Sequence, residues 1–117
     1  MSDLSIHVRE VDGVAVVHPA GFINAHTVRQ FESSLEELVH DGKFQILLNC
    51  EQLSYISSAG LGAIMGLIET VRENGGDILL CTLQENVFAI FDTLGFTQLY
   101  KVFPSEREAL ADAARKA

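Results

Sequence analysis

Cysteine is scarce: Cys50 and Cys81 are the only two in 117 residues, no CxxC pair occurs, and the four histidines share no ligand spacing. These absences argue against a disulfide framework or a metal site. Each thiol lies inside an apolar run, Leu47–Cys50 and Ile78–Leu83, so both read as buried free cysteines in neighbouring strands. Positive charge is scarce too. Eight Lys and Arg stand against sixteen Asp and Glu, a net charge of −8, and the eight are scattered. A phosphate backbone needs clustered basic side chains, so nucleic acid is not the expected partner. The acidity suits a basic protein partner and discourages adhesion to anionic lipid. No apolar run approaches the ~18–20 residues that span a bilayer, and Met1-Ser2-Asp3-Leu4 lacks the basic and apolar regions of a signal peptide. A cytoplasmic location without membrane insertion is the expectation. No lysine occurs between Lys43 and Lys101, so Ala59-Gly60-Leu61-Gly62 cannot complete a P-loop, and no cofactor is implied.

What remains is ordinary globular composition, 48% hydrophobic and 21% charged, with no linker, low-complexity stretch or repeat. It fits one domain over residues 1–117. Leu4, Ile6 and Val8 alternate with polar neighbours as in a half-buried strand. Asp12-Gly13 then signals a turn into a second strand, Val14–His18, which Pro19 and Gly21 should stop. A first helix follows, with Asn24 or Thr27 as N-cap. Val28, Phe31, Leu35, Leu38 and Val39 form its apolar stripe, and Asp41-Gly42 ends it. Phe44–Cys50 reads as a strand covered on both faces. A second helix is predicted over Ser58–Glu73, with Leu61, Ile64, Met65, Ile68 and Val71 facing inward. Then come a strand at Ile78–Leu83, a short helix at Gln84–Leu94 closed by Gly95, and a short strand at Tyr100–Phe103. A helix from Ser105 opens on the capping-box pattern Ser105-Glu106-Arg107-Glu108. The order predicts an α/β sandwich with a mixed central sheet of about five strands and about four helices.

The segment Leu47–Gly62 carries the most functional information. An apolar run ends, a polar turn follows, and Ser57-Ser58 opens the second helix. Ser58 thus falls where unpaired backbone N–H groups and the positive end of a helix dipole converge. A hydroxyl there can cap the helix, act as a nucleophile, or accept a phosphoryl group. Nucleophilic catalysis needs a base and an orienting carboxylate. His7 and His18 lie on the opening hairpin, His40 at a helix tail, and the G-x-S-x-G elbow is missing. With no base for the serine, the chain is not expected to be an enzyme. A phosphoserine adds about −1.5 to −2 charges, which the helix N-terminus partly offsets. Gly60 and Gly62 each cost about 0.8–1.0 kcal/mol relative to alanine in a helix. Close approach by a partner or tight packing on the sheet would justify them.

The serine turn Leu53-Ser54-Tyr55-Ile56-Ser57-Ser58-Ala59-Gly60-Leu61-Gly62, with Gly21-Phe22-Ile23-Asn24, Asn49, Gly75-Gly76 and Phe91-Asp92-Thr93-Leu94-Gly95-Phe96, resembles the STAS domain. That fold is shared by anti-sigma factor antagonists and the cytoplasmic tails of sulfate transporters. The resemblance implies a STAS-like sandwich and a bacterial partner-switching role. In it, an anti-sigma factor serine kinase phosphorylates Ser58, which blocks their association, and a serine phosphatase restores it. It places Ser57, Ala59, Gly60, Leu61 and Gly62 on the docking surface with Asn24 beside them. Leu61 and the Leu94–Phe96 corner, including Gly95, are the expected apolar anchors. The family commonly carries Asp where this chain has Asn24 and Ser57, so two carboxylates that would repel a phosphate are missing and Ser57 is a second candidate acceptor. The alternative is a STAS subunit bracing a membrane transporter ATPase, such as a lipid-transport complex, in which Ser58 only caps.

Overall fold

The structure, a computed structural model, describes residues 3–115; residues 1, 2, 116 and 117 of the expected unit lie outside the described residues. β1 (Leu4–Val11) and β2 (Val14–Ile23) pair antiparallel across Asp12-Gly13, whose φ values of 50° and 82° suit a two-residue hairpin turn. β2 runs on through Pro19 and Gly21, contrary to the expected stop. The Gly21 N–H donates to the Gln52 carbonyl at 3.0 Å, and Pro19, two residues earlier, directs its nitrogen to the same edge. There the neighbouring strands pair only with Ala15–Val17 and Gly21–Ile23, so the donor that proline lacks is not required. At Gly21, with φ at +111°, a Cβ would run into the Asp3 carbonyl oxygen.

The chain continues through α1 (Val28–His40), β3 (Gln45–Asn49), β4 (Leu53–Ile56), α2 (Ser58–Glu73), β5 (Asp77–Cys81), α3 (Glu85–Thr93), α4 (Phe96–Leu99), β6 (Val102–Phe103) and α5 (Glu106–Arg115). The predicted strands and helices are all present. β4 and α4 are additional, making six strands and five helices among the described residues. The sheet runs β1-β2-β3-β5-β6, with β4 beside the end of β2 and every pairing after the hairpin parallel. Tyr100 precedes β6 rather than opening it. It is buried, its ring stacked on Phe96 at 5.5 Å.

Successive side chains of a strand point to opposite faces, and the inner strands bury both. Val17, Ile46, Leu48, Ile78 and Leu80 join the larger core, with Phe31, Leu35, Leu61, Ile64, Val87, Phe91 and Phe96 from α1 to α4. Val14, Val16, Leu47, Leu79 and Cys81 meet Ala109 and Ala113 of α5 on the other side. Cys50 and Cys81 are buried free thiols, as expected, and lie in different cores. Burial pushes both above the ordinary thiol range.

Half of the capping box at α5 is formed: the Glu108 N–H donates to Ser105 Oγ at 3.2 Å, while the Glu108 carboxylate accepts at Oε2 from the Ser105 hydroxyl at 3.1 Å. Beside it, Arg9 donates to both carboxylate oxygens of Glu106 at 2.9 and 2.8 Å, and Asn49 Nδ2 adds a third bond at 3.0 Å. The guanidinium, with the Asn49 amide, holds the Glu106 carboxyl down at about 2 against its ordinary 4.5. A carboxyl whose pKa falls on folding stabilises fully above its unfolded value, and that contribution is lost as pH drops through the folded value. The Glu106 contribution should therefore be intact above about 4.5 and drain away toward about 2. Thermal melts from pH 7 to 2.5 should show a shallower acid loss of Tm for Glu106→Gln than for the unmodified chain; parallel curves would contradict this assignment.

Candidate functional site

Three local features fix the start of α2. The Ser57 N–H donates to the Ile23 carbonyl at the end of β2, 2.8 Å away. Ser57, with extended backbone (φ −85°, ψ 169°), is the N-cap, and its Oγ accepts from the Gly60 N–H at 3.3 Å. Gly60 then lies against the strand ends: a Cβ there would stand 2.7 Å from both Ile23 Cγ2 and Ile56 Cγ1. Packing on the sheet therefore accounts for Gly60. Around Gly62 a Cβ would meet nothing within 4 Å, so packing does not account for it.

Capping is thus the work of Ser57, and the reading in which Ser58 caps the helix does not hold. Ser58 occupies the first helical position, is exposed, and its hydroxyl makes no hydrogen bond among the described residues. The first backbone N–H of α2 accepted by a carbonyl is that of Leu61, on Ser57 at 3.1 Å, so the Ser58 and Ala59 N–H groups remain available beside that hydroxyl.

The exposed face of α2 follows a helical stripe through Ser58, Gly62, Met65, Gly66 and Glu69, with Ala59 alongside. The expected inward stripe holds at Leu61 and fails at Met65. Leu61 is 1% exposed and belongs to the core, whereas Met65, expected inside, is 50% exposed. Leu61 joins Ile64 and Val71 of the same helix in the larger core, and its buried side chain cannot serve as the expected docking anchor. Gly60 is likewise buried. Met65 is the large apolar side chain that α2 offers to solvent, a signal hidden in sequence because it lies at the rim of a continuous apolar stripe.

Asn24 holds its own loop: Oδ1 accepts from the His26 and Thr27 N–H groups at 2.9 and 3.2 Å, and its carbonyl accepts from Val28 at 2.8 Å. Thr27 occupies the N-cap position of α1, and its hydroxyl donates to the Phe22 carbonyl at 2.7 Å. Asn24 thereby stands one residue from the Ile23–Ser57 bond and shares the end of the sheet with the serine turn. α3 is tied to the same region, since Asn86 Nδ2 donates to the Ser54 carbonyl at 2.7 Å and Gln84 Nε2 to the Glu51 carbonyl at 2.8 Å. Leu94 is 53% exposed but follows Asn86 by eight residues, roughly 12 Å along the helix. Gly95 follows it with a left-handed φ of +79°, and Phe96 is buried.

Among the described residues no histidine is hydrogen-bonded to the Ser58 hydroxyl. His7 and His18 sit opposite one another in the β1–β2 register, on the face bearing Val14 and Val16, across the sheet from α2. His18 Nε2 accepts from Arg9 Nη1 at 2.8 Å, which fixes that nitrogen as the unprotonated one, because arginine only donates. Desolvation, then the Arg9 charge, lowers the pKa of this ring. Among the described residues no group of three or more His, Cys, Asp or Glu could hold a metal ion, and no helix is long and apolar enough to cross a membrane.

Comparison with known proteins agrees with this architecture. The protein called "Putative anti-sigma factor antagonist BtrV" in Bordetella bronchiseptica is 31% identical over 114 residues, 97% of either chain. A Thermotoga maritima crystal structure superposes with a TM-score of 0.88 at 22% identity, covering 94% of this chain and 95% of that one. The anti-sigma factor antagonist SpoIIAA of Bacillus, unphosphorylated, gives 0.80 at 23% identity over 97% and 98% of the chains. In its phosphorylated form it gives 0.71 at 21% identity over 92% and 98%. These structural likenesses concern the fold. Residues 5–109 match the STAS domain family, and with the hairpin, the parallel sheet and the serine-opened second helix all in place, this chain belongs to that family.

Proposed function

We propose that this chain is an anti-sigma factor antagonist in a partner-switching circuit, binding an anti-sigma factor serine kinase through the exposed face of α2 and released by phosphorylation of Ser58. The observation that carries the reading is the division of labour between two adjacent serines: Ser57 caps the helix, and Ser58 stands exposed with its hydroxyl unbonded among the described residues. The relatives named as antagonists support the partner class. Phosphoryl transfer forms the Ser58 Oγ–P bond as the γ-phosphorus bond to the bridging oxygen of ATP breaks, ADP leaves, and the hydroxyl proton passes to the kinase. A serine phosphatase reverses the state by hydrolysis.

The energetics follow from where the charge lands. Ser58, Ala59, Gly62 and Gly66 present small side chains, with Met65 as a polarizable apolar contact. A partner closing over this face must desolvate or repel a dianion at its edge, which costs several kcal/mol. Each ~1.4 kcal/mol is a factor of ten in affinity, so the phosphate ends binding without refolding the domain. The missing carboxylates at Asn24 and Ser57 leave the helix N-terminus without nearby acidic groups at those two positions. Ser57 is the poorer acceptor because modifying it would sacrifice the cap.

Incubation with the cognate kinase and ATP should add one phosphate by intact mass, lost in Ser58→Ala and kept in Ser57→Ala, whose cost is about 1 kcal/mol of stability. Undiminished labelling of Ser58→Ala would overturn the assignment. No labelling of the unmodified chain by any co-occurring serine kinase would favour the transporter-brace reading. The two glycines should also separate. Gly62→Leu should raise the Tm slightly, because glycine costs about 0.8–1.0 kcal/mol in a helix relative to alanine, and should lower affinity for the kinase, while Gly60→Leu should lower the Tm, overpacking being worth about 1–3 kcal/mol. Equal melting temperatures for the two variants would contradict the packing described here.

A further inference from the structure

α5 is held differently from the other helices. It buries two alanines, Ala109 and Ala113, with Leu110 half-buried beside them, and covers Val14, Val16, Leu47, Leu79 and Cys81. Alanine methyls remove little area from water, and a helix of ten residues is marginal by itself. Polar ties supply much of the attachment. Glu106 takes its three bonds from Arg9 on β1 and Asn49 at the end of β3. Asp112, 7% exposed, accepts from Lys101 Nζ at 3.3 Å, while its bond from Arg115 Nη2 at 2.7 Å lies within α5. The Ser105–Glu108 capping box, by contrast, is local to the helix and would travel with it. Contacts of this ionic kind weaken with salt, whereas apolar burial does not.

We propose that α5 is a latch that undocks as a unit while the rest of the domain stays folded, with Glu106, Arg9 and Asn49 as its catch. Release pivots at Pro104-Ser105 and bares the apolar strip Val14, Val16, Leu47 and Leu79, on the sheet face opposite α2. The domain then has two separately governed faces: the α2 face answers to Ser58, and the covered face answers to the ionic catch. Local opening of this sort is the expected behaviour of an element with few apolar contacts.

The two cysteines read the two faces. Cys81 lies in the strip under α5, close enough to Glu106 for that charge to act on its thiol, and Cys50 lies in the core under the other helices. Full-length protein is treated with excess iodoacetamide at pH 8, and the alkylated peptides are quantified over time. Cys81 should react at least about tenfold faster than Cys50, and Glu106→Gln should raise the Cys81 rate a further tenfold or so, ~1.4 kcal/mol in the opening equilibrium, with Cys50 unmoved. Raising NaCl to 1 M should also accelerate Cys81 selectively in the unmodified chain, which decides the matter if Glu106→Gln fails to fold. Equal rates at the two cysteines, rising together with salt, would show that α5 leaves only on global unfolding and would overturn the latch.

Discussion

At Gly60 a side chain would have to share space with Ile23 and Ile56, the last residues of two adjacent parallel strands, 2.7 Å away in each case. Because none is there, the first turn of α2 settles directly on the sheet end. The Ser57 N–H reaches the Ile23 carbonyl, and its hydroxyl turns inward to cap the Gly60 N–H. With that geometry fixed, the next residue must point away. The exposure of Ser58 is a consequence of how tightly its neighbours are committed, so packing decides which hydroxyl caps the helix and which stands exposed.

The sheet separates this arrangement from a second one. α1 to α4 cover one face with large apolar side chains, while α5 covers part of the other with alanines and ion pairs. His7 and His18 fall on the α5 side, where His18 accepts from Arg9 within the group that fastens Glu106, and His40 closes α1. What the domain contributes is presentation: small side chains, a helix N-terminus and Met65.

Much of this was legible in the chain itself. Helical spacing placed α2 at Ser58–Glu73 without error, and the capping box announced α5, because both signals are local. β4 gave no such signal. Ser54 is an extra residue opposite the Gly21/Phe22 junction, so Leu53 and Ile56 both point inward and the alternation of a strand is broken. α4 is a single turn of four residues, too short to show a period. Pro19 read as a stop because its freedom from pairing depends on where two later strands end. The choice of Ser57 over Ser58 as cap turned on one residue of helical phase, and Met65 lies at the edge of the inward stripe it shares with Leu61. Periodicity over an apolar stripe this broad does not fix that phase; the Ile23–Ile56–Gly60 contact does.

The central claim is that negative charge at the first turn of α2 decides whether a partner can close over that face. It is tested most directly by installing authentic phosphoserine at position 58 and titrating both forms against the cognate anti-sigma factor kinase by calorimetry. The account predicts at least a tenfold loss of affinity with an unchanged melting temperature for the free domain. Equal affinity of the two forms would contradict it.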